Sequence, residues 1–386
     1  MQERPAPLRR LPEQYFARLL ARVAAAAASE GEPLVDLGRG NPDVPPPSHV
    51  VERLVGVARE STPAVHGYAP FLGFPALKEA IAWRYRDVYG VSLDPESEVA
   101  VVPASTTALV ELALCLAEQG DSILLPDPGY PDYRSAVALA GAREVALPLD
   151  PTAGWAPDFE AAPRRAAALY LNYPSNPCAA AAPEGVFEAA VAYAEKTGAA
   201  VVHDFAYGDL VFDSREPRSF LAAPGAKEVG VELFSLSKSY GMAGWRLGFV
   251  LGSPEIVARV NLLQDHVRAG IFSAIQAAGI AALTGPQETV ETRRLLYEER
   301  RDRVVAALRE TDVGEVSCEG TFFLWLRLPD GVTVDSLLAA HRVALAPGEG
   351  FGVRGMGWAR ISLATPDERL DLGLERLARA LTTTRV

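Results

Sequence analysis

Seven short apolar runs alternate with segments of helical periodicity between residues 98 and 252, and this alternation limits the fold more than any other feature of the chain. The runs are apolar at consecutive positions, which indicates strands that are buried on both faces. Such strands, connected by helices, are typical of a parallel sheet. They cover 98–102, 122–126, 143–147, 167–171, 199–203, 231–236 and 247–252. We therefore predict an α/β fold with a large, doubly wound, mainly parallel seven-stranded sheet.

The pattern changes after residue 285. A long charged helix is followed by an apolar run at 321–328, a short helix, a Gly-rich loop, a second apolar run at 358–364 and a final helix. This order indicates a smaller α+β domain. A Pro-rich stretch at 41–50 separates an N-terminal helical arm from the rest. The predicted parts are an arm, grouped with the small domain, at 1–45, a large domain at 46–285 and a small domain at 286–386.

The charge balance excludes two kinds of partner. The chain has 386 residues and a formal net charge of −12, whereas nucleic acids and anionic membrane surfaces select basic proteins. The three cysteines lie far apart, so neither a disulfide framework nor a metal site is predicted. No segment resembles a signal peptide or is long and uncharged enough to cross a bilayer. We predict a cytoplasmic protein without a nucleic-acid or membrane partner.

The most specific motif is the segment 234–246, FSLSKSYGMAGWR. Lys238 directly follows an apolar strand, and ligands bind beyond the carboxyl ends of strands in doubly wound sheets. Its amine could form a Schiff base with pyridoxal phosphate, while Ser235, Ser237 and Arg246 bind the phosphate. The alternative is a solvated loop lysine. The combined spacing of the serines, the lysine and the arginine favours the cofactor site.

Polar and aromatic side chains follow three other predicted strands. Asp204 could pair with the pyridine nitrogen of the same cofactor and keep its ring cationic. Tyr207 and Asn176 could donate hydrogen bonds to its phenolic oxygen, and Tyr130 could stack on its face. The alternatives are a turn cap for Asp204, backbone-determined turn residues for Asn176 and ordinary packing for the tyrosine ring.

Two further positions favour anions. Ser105 and Thr106 begin a helix after a strand, where free backbone N–H groups could bind a phosphate, although an ordinary helix cap explains them equally. Arg360 begins a strand of the small domain, and a substrate carboxylate would be a good bidentate partner for it. An internal salt bridge is the competing explanation.

These residues, in this order, resemble the class I/II pyridoxal-phosphate-dependent aminotransferases of fold type I. The resemblance covers nearly the whole chain, and its N-terminal part, LPEQYFARL at 11–19, is similar to diaminopimelate-type members, within a broader likeness to aspartate-type ones. The matching segments are DLGRGNPDVPPP (36–47), YAPFLGFPALKEAIAWRY (68–85), DPGYPDY (127–133), NYPSNP (172–177), HDFAY (203–207), SLSKSYGMAGWRLGF (235–249) and ARISLA (359–364). The chain departs from the family where Cys178 and Phe205 replace more frequent residues.

The resemblance implies a role for each matched residue. Lys238 would hold the cofactor covalently and then move a proton between the substrate Cα and the cofactor. Arg360, Asn176 and the backbone of Gly40 would bind the substrate. Tyr68 would reach the phosphate of the neighbouring subunit's cofactor, so the active unit would be a homodimer with shared sites. The other cofactor contacts would be Ser105, Thr106, Tyr130, Asn176, Asp204, Tyr207, Ser235, Ser237 and Arg246.

The resulting expectation is an aminotransferase that moves an amino group between an L-amino acid and a 2-oxo acid with ping-pong kinetics. Glutamate and 2-oxoglutarate are expected on one side, and a diaminopimelate-type compound is one possibility on the other. Arg39 and Arg268 are candidate contacts for a second carboxylate, with solvated surface arginines as the alternative. A carbon–sulfur β-lyase on the same fold and a non-enzymatic aminotransferase-like regulatory domain stay open.

Overall fold

The computed structural model describes residues 4–382. Residues 1–3 of the predicted arm and 383–386 of the predicted small domain lie outside the described residues. The helices are α1 (Ala6–Arg9), α2 (Tyr15–Ala28), α3 (Ser48–Ala58), α4 (Pro63–His66), α5 (Pro75–Tyr89), α6 (Ser105–Leu116), α7 (Asp132–Ala140), α8 (Val186–Thr197), α9 (Ala226–Val229), α10 (Leu236–Ser239), α11 (Pro254–Val267), α12 (Ser273–Thr284), α13 (Glu288–Leu308), α14 (Val334–His341) and α15 (Asp367–Leu381).

The strands form three sheets within these residues. They are β1 (Val35–Asp36), β2 (Val99–Val102), β3 (Ser122–Asp127), β4 (Arg143–Asp150), β5 (Ala156–Pro157), β6 (Ala168–Asn172), β7 (Ala200–Asp204), β8 (Gly230–Ser235), β9 (Gly248–Gly252), β10 (Val316–Ser317), β11 (Phe323–Arg327), β12 (Val343–Ala344), β13 (Ala346–Pro347) and β14 (Trp358–Ser362). No helix among the described residues has the length and apolar character needed to traverse a membrane.

The large sheet confirms the predicted fold class. Its order is β2-β9-β8-β7-β6-β3-β4-β5, and the pairs from β8 through β7, β6 and β3 to β4 are parallel. All seven predicted strands are present, but the expected number is corrected from seven to eight. The additional strand, β5, is a two-residue antiparallel edge that contains Pro157. So short a strand has no periodicity by which a sequence pattern could identify it.

Burial on both faces explains why the central strands lack polar alternation. Leu169 and Leu171 of β6 pack in one hydrophobic cluster with Phe187 of α8. Ala168 and Tyr170 belong to a second cluster on the opposite face, because successive side chains of a strand point in opposite directions. The sheet therefore lies between two helical layers, as the doubly wound arrangement requires.

The C-terminal part contains a four-stranded antiparallel sheet with the order β10-β11-β14-β13. The indole rings of Trp325 and Trp358, on neighbouring strands of this sheet, stack with centroids 5.7 Å apart. Strand β1, from the N-terminal region, pairs in parallel with β12. This pairing joins residues near 35 to the C-terminal elements, and the two predicted domain boundaries stay a prediction.

The arm contacts both parts of the molecule through its helix α2. The Tyr15 hydroxyl donates a hydrogen bond to the carbonyl oxygen of Pro347 in the small sheet, 2.8 Å away. The Gln14 amide donates to Asp132 of α7, beside the large sheet, at 2.9 Å. Because these hydrogen bonds hold the start of α2 against both the small sheet and α7, the side chains of α2 lie over the opening between the two sheets.

A buried ion pair fixes the segment after β7 to helix α5. Arg84 donates to the Asp209 carboxylate at 2.7 Å, and each side chain is at most 5% exposed. The Tyr89 hydroxyl donates to the same oxygen at 2.7 Å. Arg84 also donates to Gln287, which accepts a second hydrogen bond from Tyr240, two residues beyond Lys238. This network connects the two segments that carry Tyr207 and Lys238.

Replacing Asp209 with alanine is expected to lower the free energy of unfolding by about 3–5 kcal/mol, because Arg84 would stay buried without its counter-charge. Chemical denaturation measures the change. The matched control is Glu375→Ala, which removes an exposed ion pair with Arg379 and should cost less than about 1 kcal/mol. Equal effects of the two substitutions would contradict the prediction.

Candidate active site

Parallel register brings three predicted site segments to one edge of the large sheet. Asn172 at the end of β6 lies directly opposite Asp204 at the end of β7. Strand β8 runs parallel to β7 and ends at Ser235, three residues before Lys238. The carboxyl ends of parallel strands meet at the same edge, which is where doubly wound sheets bind ligands.

A cavity of about 310 Å³ opens at this edge. The structure brings every predicted site residue except Tyr68 to its walls. These are Gly40, Ser105, Thr106, Tyr130, Asn176, Asp204, Tyr207, Ser235, Ser237, Lys238, Arg246 and Arg360. Tyr68 is 90% exposed and does not line the cavity of its own subunit.

Lys238 lies on the one-turn helix α10, whose first N–H groups are capped by the Ser235 side chain. Its Nζ is 5.1 Å from the ring centroid of Phe322 and 5.8 Å from that of Tyr207. Among residues 4–382, no group forms a hydrogen bond with it. Burial, followed by the positive charges of Arg360 and Arg246, lowers the pKa of Lys238 to about 8. The neutral amine, which is the nucleophilic form, is thus more populated than in water.

Within residues 4–382, Asp204 is the only acid in the cavity wall. Its carboxylate accepts hydrogen bonds from the Tyr133 hydroxyl at 2.9 Å and from the backbone N–H of Ala206 at 3.2 Å. Burial raises the pKa of Asp204, and these two hydrogen bonds oppose the increase. Neither donor is charged, so a cationic N–H in the cavity would stabilise this carboxylate in its ionised form.

A site for a phosphate lies where helix α6 begins. Ala104, just before the helix, has a φ of 81°, a left-handed conformation that L-residues seldom adopt. This conformation turns the chain so that the first N–H groups of α6, with the Ser105 and Thr106 hydroxyls, border the cavity. Arg246 borders the same cavity and has an exposed guanidinium. A cation beside a helix N-terminus is a suitable donor set for a phosphate.

Arg360 is 1% exposed, and no carboxylate of the described residues forms an ion pair with it. Its guanidinium donates to the side-chain oxygen of Asn176 at 2.6 Å and to the carbonyl oxygen of Gly38 at 3.1 Å. It also lies 3.9 Å from the ring centroid of Phe323. Burial lowers its pKa. An internal salt bridge, the competing explanation, is absent among residues 4–382, and a buried cation with neutral partners favours a ligand carboxylate.

Gly40 allows the close approach of the backbone to this arginine. A Cβ at position 40 would lie 2.7 Å from the Phe323 ring and 3.5 Å from the Arg360 guanidinium. The first distance is shorter than van der Waals contact, so a larger residue would displace one of the two side chains. A ligand bound at Arg360 therefore has the backbone of Gly40 beside it.

Two tyrosines border the space between Asp204 and the cavity mouth. The Tyr130 ring lies 5.5 Å from Tyr133 and 5.8 Å from Phe16, and its hydroxyl donates to Asp132. The Tyr207 ring packs edge-on against Phe323 at 5.8 Å. Both tyrosines line the cavity, with positions that suit contact with an aromatic ligand.

Together these groups fit pyridoxal phosphate. The cofactor carries an aldehyde, a pyridine nitrogen, a phenolic oxygen and a phosphate. The cavity offers a lysine whose pKa is lowered, a buried acid, and a helix N-terminus with an arginine beside it. Asp204 fits the pyridine nitrogen because it has only neutral donors in the described chain. The chemistry of the donor set thus matches the aldehyde, the pyridine nitrogen and the phosphate of the cofactor.

Sequence reasoning missed several residues of the cavity. Tyr133 of α7 donates a hydrogen bond to Asp204, and its only signal in the sequence was its place in the segment DPGYPDY, three residues after Tyr130. Phe16 and Leu20 of α2 line the cavity because the arm docks over it, which no local pattern indicates. Of the two candidate arginines, Arg39 lines the cavity, whereas Arg268 donates to the carbonyl oxygen of Val101 outside it.

The fold and the site define a pyridoxal-phosphate-dependent enzyme of fold type I. A family model described as aminotransferase class I and II matches residues 32–377, and the chain belongs to this family. It is an aminotransferase, whose reaction moves an amino group between amino acids and 2-oxo acids with pyridoxal phosphate as cofactor. This confirms the fold, the cofactor and the reaction class predicted above.

Relatives match over nearly their full length. The chain is 43% identical to an L-glutamine–4-(methylsulfanyl)-2-oxobutanoate aminotransferase of Bacillus subtilis, covering 96% of this chain and 95% of that protein. It is 39% identical to an LL-diaminopimelate aminotransferase of Moorella thermoacetica, with 97% of each chain covered. A solved structure of apo BacF from Bacillus subtilis superposes with a TM-score of 0.92, 38% identity and 99% coverage of each chain.

The lowered pKa of Lys238 can be measured directly. In cofactor-free protein, the rate at which a neutral acylating reagent modifies Lys238 should rise with pH around a midpoint of about 8, because only the unprotonated amine reacts. Mass spectrometry of the digested protein gives the rate, with the exposed Lys196 as internal reference. Arg360→Ala should move the midpoint upward by removing a positive neighbour. A midpoint near 10.4, the usual value for lysine, would contradict the prediction.

Proposed function

We propose that the chain transfers an amino group between an L-amino acid and a 2-oxo acid at the cavity between α2 and the two sheets, with Lys238 as its catalytic residue. One observation carries the proposal. The amine of Lys238 and the guanidinium of Arg360 border one cavity, and neither is paired with a carboxylate of the described residues. An α-amino acid presents a carboxylate for Arg360 and, on the adjacent carbon, the amino group that pyridoxal phosphate held at Lys238 would accept.

Arg360 binds the substrate α-carboxylate. Its guanidinium is held in place by Asn176 and Gly38, so part of its hydrogen-bonding capacity faces the cavity. The backbone of Gly40 lies beside the same position. Fixing the carboxylate fixes the Cα, because the two are directly bonded, and this places the Cα–H bond relative to Lys238.

Lys238 moves the proton. Its Nζ would accept the proton that the substrate Cα releases and, once protonated, would return a proton to complete the amino transfer. A pKa of about 8 suits this role, since a base near the working pH both accepts and donates a proton readily. The aromatic rings of Tyr207 and Phe322 limit access of water to the amine.

The remaining contacts hold the cofactor. Pyridoxal phosphate, when bound, supplies the electron sink for the electron pair that the departing Cα proton leaves behind. Asp204 would keep the pyridine nitrogen protonated, Tyr207 and Asn176 would donate to the phenolic oxygen, and Tyr130 would contact the ring. Arg246, together with Ser105, Thr106, Ser235 and Ser237, would bind the phosphate.

Glutamate and 2-oxoglutarate are the proposed pair on one side of the reaction. The similar proteins suggest two classes for the other side, since one acts on 4-(methylsulfanyl)-2-oxobutanoate with glutamine and another on LL-diaminopimelate. The substrates of both classes react at an α-amino acid group or at the corresponding 2-oxo acid group. Arg360 and Lys238 contact only this reacting end, so they do not distinguish the two classes.

The proposed active unit is a homodimer in which Tyr68 contacts the cofactor phosphate of the partner. The exposure of Tyr68, 90%, supports this proposal, because an aromatic side chain so fully in water is unusual in a single subunit. Phe71, Leu72 and Phe272 are also exposed apolar residues, as expected of a surface that another copy covers. Localisation in the cytoplasm stays a prediction from the sequence.

Amino transfer is tested with purified holoenzyme, glutamate and a panel of 2-oxo acids, by chromatography of the amino acids formed. We expect product with parallel double-reciprocal plots, as a ping-pong reaction gives. Lys238→Ala should lower the rate at least about 100-fold through loss of the acid–base group, whereas Lys196→Ala, on the exposed surface, should retain it. Ammonia and pyruvate formed without an acceptor would instead indicate a β-lyase.

Shared sites are tested by mixing subunits. Tyr68→Ala and Lys238→Ala dimers should each have low activity, but heterodimers formed by co-expression should regain it. In the heterodimer, one of the two active sites contains the intact Lys238 of one subunit and the intact Tyr68 of the other. If Tyr68 acted within its own subunit, the heterodimer would stay inactive, because the only subunit with Lys238 lacks that tyrosine.

A further inference from the structure

The cavity holds one charged group that the proposed reaction does not use. Its walls carry the cations Arg39, Lys238, Arg246 and Arg360 and the single acid Asp204. Under the proposed function, Arg246 binds the cofactor phosphate and Arg360 binds the substrate α-carboxylate. Lys238 and Asp204 contact the rest of the cofactor. The guanidinium of Arg39 is left without an assigned partner.

Arg39 is exposed, and within residues 4–382 no hydrogen bond or ion pair engages its side chain. Its backbone is nevertheless anchored at the substrate end of the cavity. The carbonyl oxygen of Gly38 accepts a hydrogen bond from Arg360, and a Cβ at Gly40 would lie 3.5 Å from the same guanidinium. Both sequence neighbours of Arg39 therefore lie next to Arg360, the residue that binds the α-carboxylate.

Apolar side chains of helix α2 border the same part of the cavity. Phe16 lies 5.8 Å from the Tyr130 ring and 5.7 Å from the Arg360 guanidinium, so it is next to both the cofactor position and the carboxylate position. Leu19 and Leu20 line the cavity one turn further along the helix. Arg39 lines the same cavity as these apolar side chains, so a substrate side chain that extends into this part of the cavity has both apolar groups and a cationic residue in the surrounding wall.

We propose that Arg39 is a specificity-determining residue, which binds the distal carboxylate or carboxamide of a substrate whose methylene stem lies against Phe16, Leu19 and Leu20. A guanidinium donates two parallel hydrogen bonds to a carboxylate, and it donates to the carbonyl oxygen of an amide. This inference rests on the proposed function and adds the class of side chain that the site accepts.

The same charges disfavour a distal ammonium group. Among the described residues, Asp204 is the only acid in the cavity wall, and it is already hydrogen-bonded by Tyr133. A distal end that is an ammonium alone would lie near Arg39 without a neighbouring carboxylate from the described residues. Like charges in a partly enclosed site repel, so the site selects against lysine-like side chains.

Equilibrium binding tests the inference without catalysis. Glutarate and pentanoate have the same five-carbon chain, but only glutarate has a second carboxylate for Arg39. Isothermal titration of the holoenzyme should show that Arg39→Ala weakens glutarate binding about tenfold or more and changes pentanoate binding by less than about threefold. Arg39→Lys should recover part of the loss. The matched control is Arg53→Ala, an exposed arginine on α3 outside the cavity.

Half-reaction kinetics, followed by the change in cofactor absorbance, give the second readout. Wild-type enzyme should convert glutamate and glutamine faster than norleucine, and lysine slowest. Arg39→Ala should lower the rates for glutamate and glutamine selectively. Parallel losses for glutamate and norleucine, or a wild-type preference for lysine, would overturn the inference and leave amino transfer intact. If no amino acid changed the absorbance of wild-type enzyme, the proposed function itself would fail and this inference with it.

Discussion

Three buried or half-buried charges border one cavity without neutralising each other, and the rest of the site depends on how they are kept apart. Placing a charge away from water costs free energy unless it is paired, and Asp204, Lys238 and Arg360 have only neutral hydrogen-bond or aromatic partners in the described chain. The cost is lowered when ligands bring the opposite charges. The folded protein therefore carries, before any ligand binds, an electrostatic preference for a carboxylate at Arg360 and for a cationic ring at Asp204.

A continuous hydrogen-bond chain sets the spacing of these charges. Tyr133 donates to the Asp204 carboxylate, and the Asn172 amide donates to the Asp204 carbonyl oxygen at 2.8 Å. The Asn172 side-chain oxygen accepts from the backbone N–H of Asn176 at 2.7 Å, and Asn176 accepts from Arg360 at 2.6 Å. The acid of the large sheet is thus linked to the arginine of the small sheet, which makes the distance between cofactor and carboxylate sites a property of both sheets.

The part of the site that the sequence could predict is the part that lies at strand ends. Asp204 and Lys238 directly follow buried apolar strands, and parallel register alone brings such positions to one edge. Arg360 was predicted as a carboxylate ligand against a salt-bridge alternative, and only the three-dimensional structure shows that no acid of the described chain pairs with it. The short strand β5 and the contact of Tyr133 with Asp204 depend on tertiary packing, so no local periodicity indicated them.

The substrate side of the cavity has a different origin from the reacting side, and this explains why sequence reasoning gave the reaction before the substrate. Phe16, Leu19 and Leu20 reach the cavity because Tyr15 anchors α2 on the carbonyl oxygen of Pro347, more than 300 residues away in the chain. Contacts over such separations leave no spacing in the sequence. The residues at the strand ends can stay the same while the residues of α2 and position 39 differ. Members of one family with the same lysine, acid and arginine can therefore accept different amino acids.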